Sequence, residues 1–396
     1  MSELRRFKEA LAATTPHPLG LSISKARGSY IYDHENKAYL DFVAGVSAVS
    51  IGHSNPVIRK AVAKQLKRHS HVMVYGEFIQ ESVLDYAELL TQHLPAPLNN
   101  VYLVNSGTEA IEGALKLARA ATGRTEIIAA KNNYHGNTLG SLSLMDYEER
   151  IAPFRPLLPD VKHIEFNSTK DLEQITTKTA AVIVETIQGG AGFILPKDDY
   201  LERLRAQCTK TGSLLILDEI QPGFGRTGKL FGFEHFNCIP DILVIGKGMA
   251  GGLPVGAFIA ERTLMQTLST APKLGHITTF GGHPVIAAAA HATLTYILKH
   301  KLQEQALEHE KTIRALLKHD LIKEIRGKGL MLALVFEHEE IANYLVLEGL
   351  KNKLILFWLL YEKRAVRLTP PLTISKKEIE KGCKIILTLL DRYSVN

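Results

Sequence analysis

Residues 214–260 read LLILDEIQPGFGRTGKLFGFEHFNCIPDILVIGKGMAGGLPVGAFIA, and two short apolar runs in this stretch decide the fold. Leu214–Leu217 leads into Asp218, and the run over residues 241–245 is followed closely by Lys247. Short runs of β-branched and leucine residues, bounded by Gly, Pro or Asp, are typical of strands buried on both faces of a parallel sheet. We therefore predict an α/β fold with an acid at the end of one strand and an amine after another.

Asp218 and Lys247 are expected to face one crevice, because ligands in open α/β sheets bind beyond the carboxyl ends of the strands. Pyridoxal 5′-phosphate requires both groups: a lysine that forms a Schiff base with its aldehyde and an acid beside its pyridine nitrogen. A surface lysine beside a strand-capping aspartate is the alternative interpretation of such a pair. The glycines on both sides of Lys247 favour the cofactor, since they permit close approach by a flat ligand.

Two nucleotide-binding patterns also occur in this stretch. Gly246, Gly248 and Gly251 match the dinucleotide motif, but that motif must open a helix, and here another apolar run follows at 255–260. Residues 223–229 approach a phosphate-binding P-loop, but Leu230 stands where a Ser or Thr must hold magnesium. Both matches are interpreted as accidental.

The segments DEIQPGFGRTGKLF (218–231) and PDILVIGKGMAGGLPVGA (240–257) together resemble the signature of the class III aminotransferases, which include the ornithine and acetylornithine enzymes. The resemblance implies pyridoxal 5′-phosphate as cofactor and the fold type I architecture. That architecture has a large domain built on a mainly parallel seven-stranded sheet flanked by helices, and a smaller α+β domain. We expect the large domain over 46–290 and the small domain over 1–45 and 291–396.

The cofactor phosphate is expected at residues 106–108. Val101–Val104 is predicted as a strand, and Ser106, Gly107 and Thr108 then open a helix that continues through Ala121. Ser and Thr at a helix start are ordinary N-caps. The same turn is also an anion site, because free N–H groups and the helix dipole point outward. NSGTEAIEGALKLAR (105–119) resembles the family's phosphate-binding segment, which favours the second interpretation.

The resemblance assigns further cofactor contacts. Tyr134 would stack on the pyridine ring with His135 as its neighbour, and Gln221 would bond the phenolic oxygen. Glu185 ends a predicted strand over 181–184 and begins a segment similar to a family motif at the cofactor. Thr279 would reach the phosphate in the neighbouring subunit, which implies a homodimer with shared active sites.

The substrate site combines a match with two departures. Arg367 matches the family arginine that pairs with a substrate carboxylate, for which a guanidinium fork is suited. Asn137 stands where the ornithine-type enzymes usually carry Arg, and Gly190 stands where they usually carry the Glu that gates the second arginine. An ungated Arg367 would hold a carboxylate permanently. The expected reaction is a ping-pong transfer from an ornithine-like or other ω-amino donor to a 2-oxo acid such as 2-oxoglutarate or pyruvate.

Two other functions stay open from the sequence. One is an aminomutase or decarboxylase of the same fold, and the other is a nicotinamide-dependent oxidoreductase that uses the glycines at 246, 248 and 251.

The composition argues against nucleic-acid-binding and membrane proteins. The net charge of +6 is spread along the chain without a basic block, so no nucleic-acid partner is predicted. No apolar run reaches the roughly 18 residues that a membrane helix needs.

The three cysteines are far apart in sequence, and no secretory signal opens the chain, so a cytoplasmic enzyme is expected. The remaining pattern predicts a hairpin over 28–41 and helices over 56–70, 79–93, 198–211 and 284–318. IRGKGLMLALVFE (325–337) is predicted as one strand, and KLILFWLL (353–360) as one buried run.

Overall fold

The computed structural model of the chain describes residues 3–73, 76–270 and 272–395. These residues form three sheets and the helices around them. The strands are β1 Ile23–Arg27, β2 Tyr30–Asp33, β3 Ala38–Asp41, β4 Asn100–Val104, β5 Glu126–Ala130, β6 Val161–Ile164, β7 Thr179–Glu185, β8 Leu214–Asp218, β9 Ile242–Gly246, β10 Gly256–Ala260, β11 Glu324–Lys328, β12 Met331–Val335, β13 Leu354–Ile355, β14 Phe357–Trp358 and β15 Ala365–Leu368.

Helices of varied length connect and cover these strands. They are α1 Glu3–Ala10, α2 Ala44–Ser47, α3 Pro56–Arg68, α4 Glu81–Thr91, α5 Gly107–Thr122, α6 Leu139–Leu142, α7 Glu148–Ile151, α8 Tyr200–Thr211, α9 Arg262–Met265, α10 Thr267–Thr270, α11 Pro284–His300, α12 Leu302–Leu316, α13 Glu339–Lys351 and α14 Lys376–Val395. Short 3₁₀ turns lie at Ala152–Phe154, Lys170–Gln174, Gly232–His235 and Lys247–Ala250. Among the described residues, none of these helices has the length and apolar character needed to cross a membrane.

The central sheet has seven strands in the order β4-β10-β9-β8-β7-β5-β6. The pairs from β9 to β6 are parallel, and β10 runs antiparallel to both of its neighbours. Alternate residues of β7, β8 and β9 contribute to two separate hydrophobic clusters, because each face of the sheet is covered by its own layer of helices. The predicted α/β fold with a mainly parallel seven-stranded sheet is confirmed.

Two smaller sheets use the ends of the chain. The hairpin of β2 and β3 extends to β1 on one side and to β13 on the other, and the second small sheet has the order β11-β12-β15-β14. The predicted hairpin over 28–41 is confirmed, with its turn at Asn36, where φ is 58°. Arg226 connects the sheets: it is fully buried and donates to the carbonyl oxygens of Leu330 at 3.1 Å and Pro370 at 2.5 Å.

Two predictions for the C-terminal part are wrong, namely one strand over 325–337 and one buried run over 353–360. Residues 325–337 form a hairpin of β11 and β12, because Gly329 at φ 61° makes a turn packed against the backbone of Arg226 and Thr227. Residues 353–360 divide between two sheets, since β13 pairs with β3 and β14 pairs with β15. The predicted helix over 284–318 is two helices, because Lys301 adopts φ 50° and breaks it.

Candidate active site

Three strands of the central sheet end side by side at one edge. Glu185 at the end of β7 is in register with Asp218 at the end of β8, and Asp218 is in register with Val244 of β9. Lys247 follows three residues beyond Val244. The ends of these strands therefore place two carboxylates and one amine along the rim of a cleft of about 600 Å³.

Most of the residues singled out in the sequence line this cleft. They are Gly107, Thr108, Tyr134, His135, Asn137, Glu185, Gly190, Asp218, Gln221, Lys247 and Arg367. Ser106 and Thr279 do not line it. The cleft also contains residues that the sequence did not indicate: Val46, Gly136, Arg150, Ile220, Pro222 and Leu360.

Asp218 is fixed by two contacts on opposite oxygens. Its Oδ1 accepts the N–H of Ile220 at 2.9 Å, and its Oδ2 lies 2.7 Å from Nδ1 of His135. His135 is 2% exposed, and its Nε2 has no partner within the described part of the chain. A carboxylate that is held on both sides keeps one orientation, which a ligand's positive group can use without reorganisation.

Lys247 occupies a strained backbone position. Its φ is 41°, which is uncommon for a residue with a side chain and is found preferentially at functional sites. Withdrawal from water lowers the pKa of its ammonium group, and the carboxylates of Asp218 and Glu185 oppose this effect while Arg367 adds to it. The amine is therefore closer to its neutral, nucleophilic form than an exposed lysine is.

Glu185 is buried beneath the aromatic wall of the cleft. Its oxygens accept the N–H groups of Tyr134 at 3.2 Å and Gly189 at 3.0 Å. Burial raises the pKa of this carboxyl to about 7, and the nearby charge of Asp218 acts in the same direction. Glu185 thus holds the segment of Tyr134 and shares the local negative charge with Asp218.

The start of α5 closes one end of the cleft. Ser106 is the N-cap, and its hydroxyl accepts the N–H of Glu109 at 3.3 Å. Within the described part of the chain, no hydrogen bond engages the N–H groups of Gly107 and Thr108, which line the cleft. The Thr108 hydroxyl contacts those of Thr138 and Ser141, each at 2.7 Å. The free N–H groups and the helix dipole make this end a site for an anion.

Tyr134 and Gln221 also border the cleft. The Tyr134 hydroxyl accepts a hydrogen bond from Nδ2 of Asn137 at 3.2 Å, and burial raises its pKa. The amide of Gln221 donates to the hydroxyl of Ser47 at 3.4 Å. Ser47 belongs to α2, a single turn in which all four residues have positive φ. That turn brings Val46 to the cleft, and its unusual handedness explains why the sequence pattern did not indicate it.

Arg367 is a buried cation at the cleft. Its Nε donates to the carbonyl oxygen of Trp358 at 3.0 Å, and its Nη1 has no partner in the described part of the chain. Burial lowers the pKa of the guanidinium to about 10, so it remains charged at neutral pH. A buried charge without a counter-ion is costly, and an anionic ligand would remove that cost.

Gly190 is enclosed by an aromatic side chain. A Cβ at this position would lie 3.0 Å from the ring of Tyr361, whose N–H donates to the Gly190 carbonyl oxygen at 2.9 Å. Tyr361 therefore occupies the space beside the cleft into which a longer side chain at position 190 would extend.

Thr279 lies away from the cleft, on an exposed loop. The same surface has a groove of about 830 Å³ lined by residues of the 76–87 and 268–282 segments. Large apolar side chains are exposed around it, among them Phe78, Leu274, Ile277 and Ile79, which is 93% exposed.

The two nucleotide-binding patterns do not have the structural context they require. Between Gly246 and Gly256, all of whose residues are described, the chain makes one 3₁₀ turn and returns as antiparallel β10. A dinucleotide motif would open an α-helix here. The P-loop-like segment instead packs against α12, where a Cβ at Gly228 would collide with Leu307.

The buried carboxyl of Glu219, next to Asp218, should make the stability of the protein depend on pH. Its oxygens accept the N–H groups of Gly232 and Phe233, both at 2.7 Å, and burial raises its pKa to about 7. Folding raises the pKa of Glu219, so the folded state favours its protonated form. The contribution of Glu219 to the free energy of unfolding is therefore complete below about pH 4.5 and is lost as the pH rises through 7. The full span corresponds to roughly 3 kcal/mol.

We expect Glu219→Gln to flatten the fall in thermal midpoint between pH 5 and pH 8 relative to the wild type. The measurement is a thermal melt of both proteins at several pH values. Glu308→Gln, on the exposed face of α12, is the control and should leave the profile unchanged. Parallel profiles for the wild type and Glu219→Gln would contradict the assigned pKa.

The residues at the cleft fit pyridoxal 5′-phosphate. Lys247 provides the amine, the free N–H groups at the start of α5 match a phosphate, and the fixed carboxylate of Asp218 matches a protonated ring nitrogen. Tyr134 adds an aromatic wall for a flat ring.

Comparison with known proteins agrees with this geometry. The family model described as "Aminotransferase class-III" matches residues 11–390. An acetylornithine aminotransferase from Methanopyrus kandleri is 37% identical over 365 residues, which are 91% of this chain and 92% of that protein. The [LysW]-aminoadipate semialdehyde/glutamate semialdehyde transaminase from Sulfolobus acidocaldarius is 39% identical over 84% of this chain and 86% of that protein.

A solved structure leads to the same family. The crystal structure of the ornithine aminotransferase from Toxoplasma gondii superposes with a TM-score of 0.92 at 30% identity, covering 99% of this chain and 95% of that one. A second structure of the Toxoplasma enzyme is described with PLP in partial occupancy at its active site. The chain belongs to the class III aminotransferases, enzymes that use pyridoxal 5′-phosphate to move an amino group from an amino donor to a 2-oxo acid.

Proposed function

We propose that this aminotransferase takes the ω-amino group of an ornithine-like donor that carries a carboxylate, and passes it by a ping-pong mechanism to a 2-oxo acid such as 2-oxoglutarate. The observation that carries this proposal is Arg367, a buried cation at the cleft with an unpartnered Nη1. A planar guanidinium is suited to a carboxylate. The names of the acetylornithine, ornithine and semialdehyde relatives support a substrate of this class.

When bound, pyridoxal 5′-phosphate supplies an aldehyde that accepts the amino group and a protonated ring that withdraws electrons. Lys247 would provide the covalent anchor, and its Nζ would afterwards remove and return a proton at the reacting carbon. The lowered pKa of Lys247 favours the neutral amine that this proton transfer requires. Asp218 would keep a proton on the ring nitrogen, and His135 keeps the Asp218 carboxylate in place.

The remaining residues hold the cofactor in this proposal. Ser106, Gly107 and Thr108 form the phosphate end, and the free N–H groups of the last two support that role. Tyr134 would lie against the ring face and Gln221 would bond the phenolic oxygen, while Glu185 secures the Tyr134 segment through its N–H. Arg367 and Asn137, which line the cleft, would face the substrate.

We further propose a homodimer in which Thr279 reaches the cofactor phosphate of the partner subunit. Its place on an exposed loop beside the apolar groove of the 76–87 and 268–282 segments supports this arrangement. Light scattering on the purified protein would give twice the mass of the 43.8 kDa chain. A monomer at micromolar concentration would overturn the shared site.

The division into domains and the cellular location are also proposals. The central sheet falls within 100–260 and the small sheets use 23–41 and 324–368, which supports a large domain over 46–290 and a small one over 1–45 and 291–396. All three cysteines are buried and unpaired, which supports a reducing cytoplasm.

A panel of amino donors tests the function. Ornithine, acetylornithine and other ω-amino acids are mixed with the purified holoenzyme, and the change in visible absorbance is recorded before any acceptor is added. We expect ω-amino acids to react at least about 10-fold faster than the corresponding amines without a carboxylate, since about 1.4 kcal/mol from one charged contact gives this ratio. Equal rates would overturn the proposal. Product analysis without acceptor would reveal an aminomutase or decarboxylase instead.

A further inference from the structure

Arg150 is a cation at the cleft that the cofactor does not explain. It lies on α7 and is exposed to solvent, yet it lines the same cleft as Tyr134, Asn137 and Arg367. Its positive charge counteracts the rise in the pKa of the Tyr134 and Tyr361 hydroxyls that burial causes. Arg150 therefore lies near enough to the Tyr134 and Tyr361 hydroxyls to act on them electrostatically.

The acidic neighbours of Arg150 are engaged elsewhere. Glu148 pairs with Arg155 at 2.7 Å, and Glu149 accepts the hydroxyl of Tyr147 at 3.1 Å. Across the described part of the chain, no ion pair involves the Arg150 guanidinium. Its charge is thus available to a ligand.

Tyr361 holds α7 beside the cleft. Its hydroxyl donates to the carbonyl oxygen of Asn133 at 2.8 Å, and its ring lies 5.3 Å from the ring of Tyr147, immediately before α7. The ring position depends on Gly190, where a Cβ would lie only 3.0 Å away. Tyr361 thus packs against Gly190 on one side and against Tyr147, the residue before α7, on the other.

The acids of the cleft already have partners within the protein. Asp218 is held by His135, and Glu185 by two backbone N–H groups. Asn137 is neutral and bonded to Tyr134, so it offers no charge to a substrate. Arg150 and Arg367 are the two guanidinium groups that line the cleft.

We propose that Arg150 binds one carboxylate of a dicarboxylic 2-oxo acid, while the buried Arg367 binds the other. This inference rests on the proposed function and deepens it, because it makes the acceptor a dicarboxylate rather than pyruvate. Arg150 then sets the specificity of the second half-reaction without taking part in proton transfer.

The test compares two acceptors in variants of Arg150. In Arg150→Gln holoenzyme we expect the KM for 2-oxoglutarate to rise about 10- to 100-fold, the range for loss of a charge-assisted contact, with kcat changed less than about 2-fold. The KM for pyruvate should change less than about 2-fold, because pyruvate has no second carboxylate. Arg150→Lys should recover much of the affinity. Arg203→Gln, a surface arginine on α8 paired with Asp199, is the matched control and should behave as wild type.

Binding of glutarate provides a readout that is independent of turnover. Calorimetry on the holoenzyme should show glutarate binding weakened by the same factor in Arg150→Gln, with butyrate binding unchanged. Equal effects on dicarboxylate and monocarboxylate, or no effect on either, would overturn the role of Arg150. A wild-type protein that accepts no ω-amino donor would instead overturn the proposed function, and glutarate binding would still decide the role of Arg150.

Discussion

Replacing Lys247 with alanine should reduce amino transfer by at least about 1,000-fold, because both covalent attachment and the main proton carrier are removed at once. The strained backbone at φ 41° and the buried carboxylates around Nζ indicate a lysine kept for chemistry rather than for stability. Initial rates with a reactive donor and 2-oxoglutarate, at saturating cofactor, measure the loss.

A second variant at Lys247 separates the role of the amine from that of its positive charge, and a variant at Lys229 is the control. Lys247→Arg keeps a cation but cannot attach the cofactor, so it should be as inactive as the alanine variant. Lys229→Ala removes the exposed lysine of the P-loop-like segment and should retain wild-type rates. Borohydride treatment followed by peptide mass analysis should locate the cofactor on residue 247 in the wild type. Attachment elsewhere, or near wild-type turnover in Lys247→Ala, would refute the assignment.

Much of the central sheet was predictable because its strands are buried on both faces. Leu214–Asp218 and Ile242–Gly246 are short apolar runs with no competing periodicity, and the structure places them as adjacent parallel strands. The acid and amine that follow such runs must meet at the carboxyl edge of the sheet. Local sequence was sufficient here because the topology of a parallel sheet determines which residues converge.

The C-terminal region was less predictable because apolar content does not reveal turns. Residues 325–337 look like one strand, but the backbone at Gly329 turns against Arg226, more than 100 positions earlier in the chain. The adjacent pairs Leu354–Ile355 and Phe357–Trp358 join different sheets. Such outcomes depend on tertiary contacts that no local pattern records.

Arg150 and Val46 were missed at the site for related reasons. Arg150 lies in a polar segment, EER, that is typical of a solvent-exposed helix. The packing of Tyr147 on Tyr361 and of Ile151 on Leu142 and Met145 places this helix beside the cleft. Val46 reaches the cleft through a left-handed turn, a conformation that residues with side chains seldom adopt. The first case depends on contacts between distant segments and the second on an unusual local backbone conformation.

Asp218→Ala should lower the rate by at least about 100-fold while retaining bound cofactor, since it removes a fixed charge and leaves the covalent anchor in place. Asp218→Asn should lose a similar factor, because an amide keeps the shape and the contact to Ile220 but cannot stabilise a protonated ring nitrogen. Rates are measured at saturating cofactor, and cofactor content is measured after denaturation.

A matched carboxylate controls for general damage to the sheet. Asp241 precedes β9 at the opposite edge, where it accepts from Arg205 at 2.6 Å and from the N–H of Leu215 at 2.6 Å. Asp241→Asn should therefore reduce thermal stability while the rate per folded enzyme stays within about 3-fold of wild type, because Asp241 contacts no residue that carries the chemistry. Asparagine has the shape of aspartate and can still accept the Ile220 N–H, so this variant loses only the negative charge. Unchanged kinetics in Asp218→Asn would therefore contradict the role assigned to Asp218.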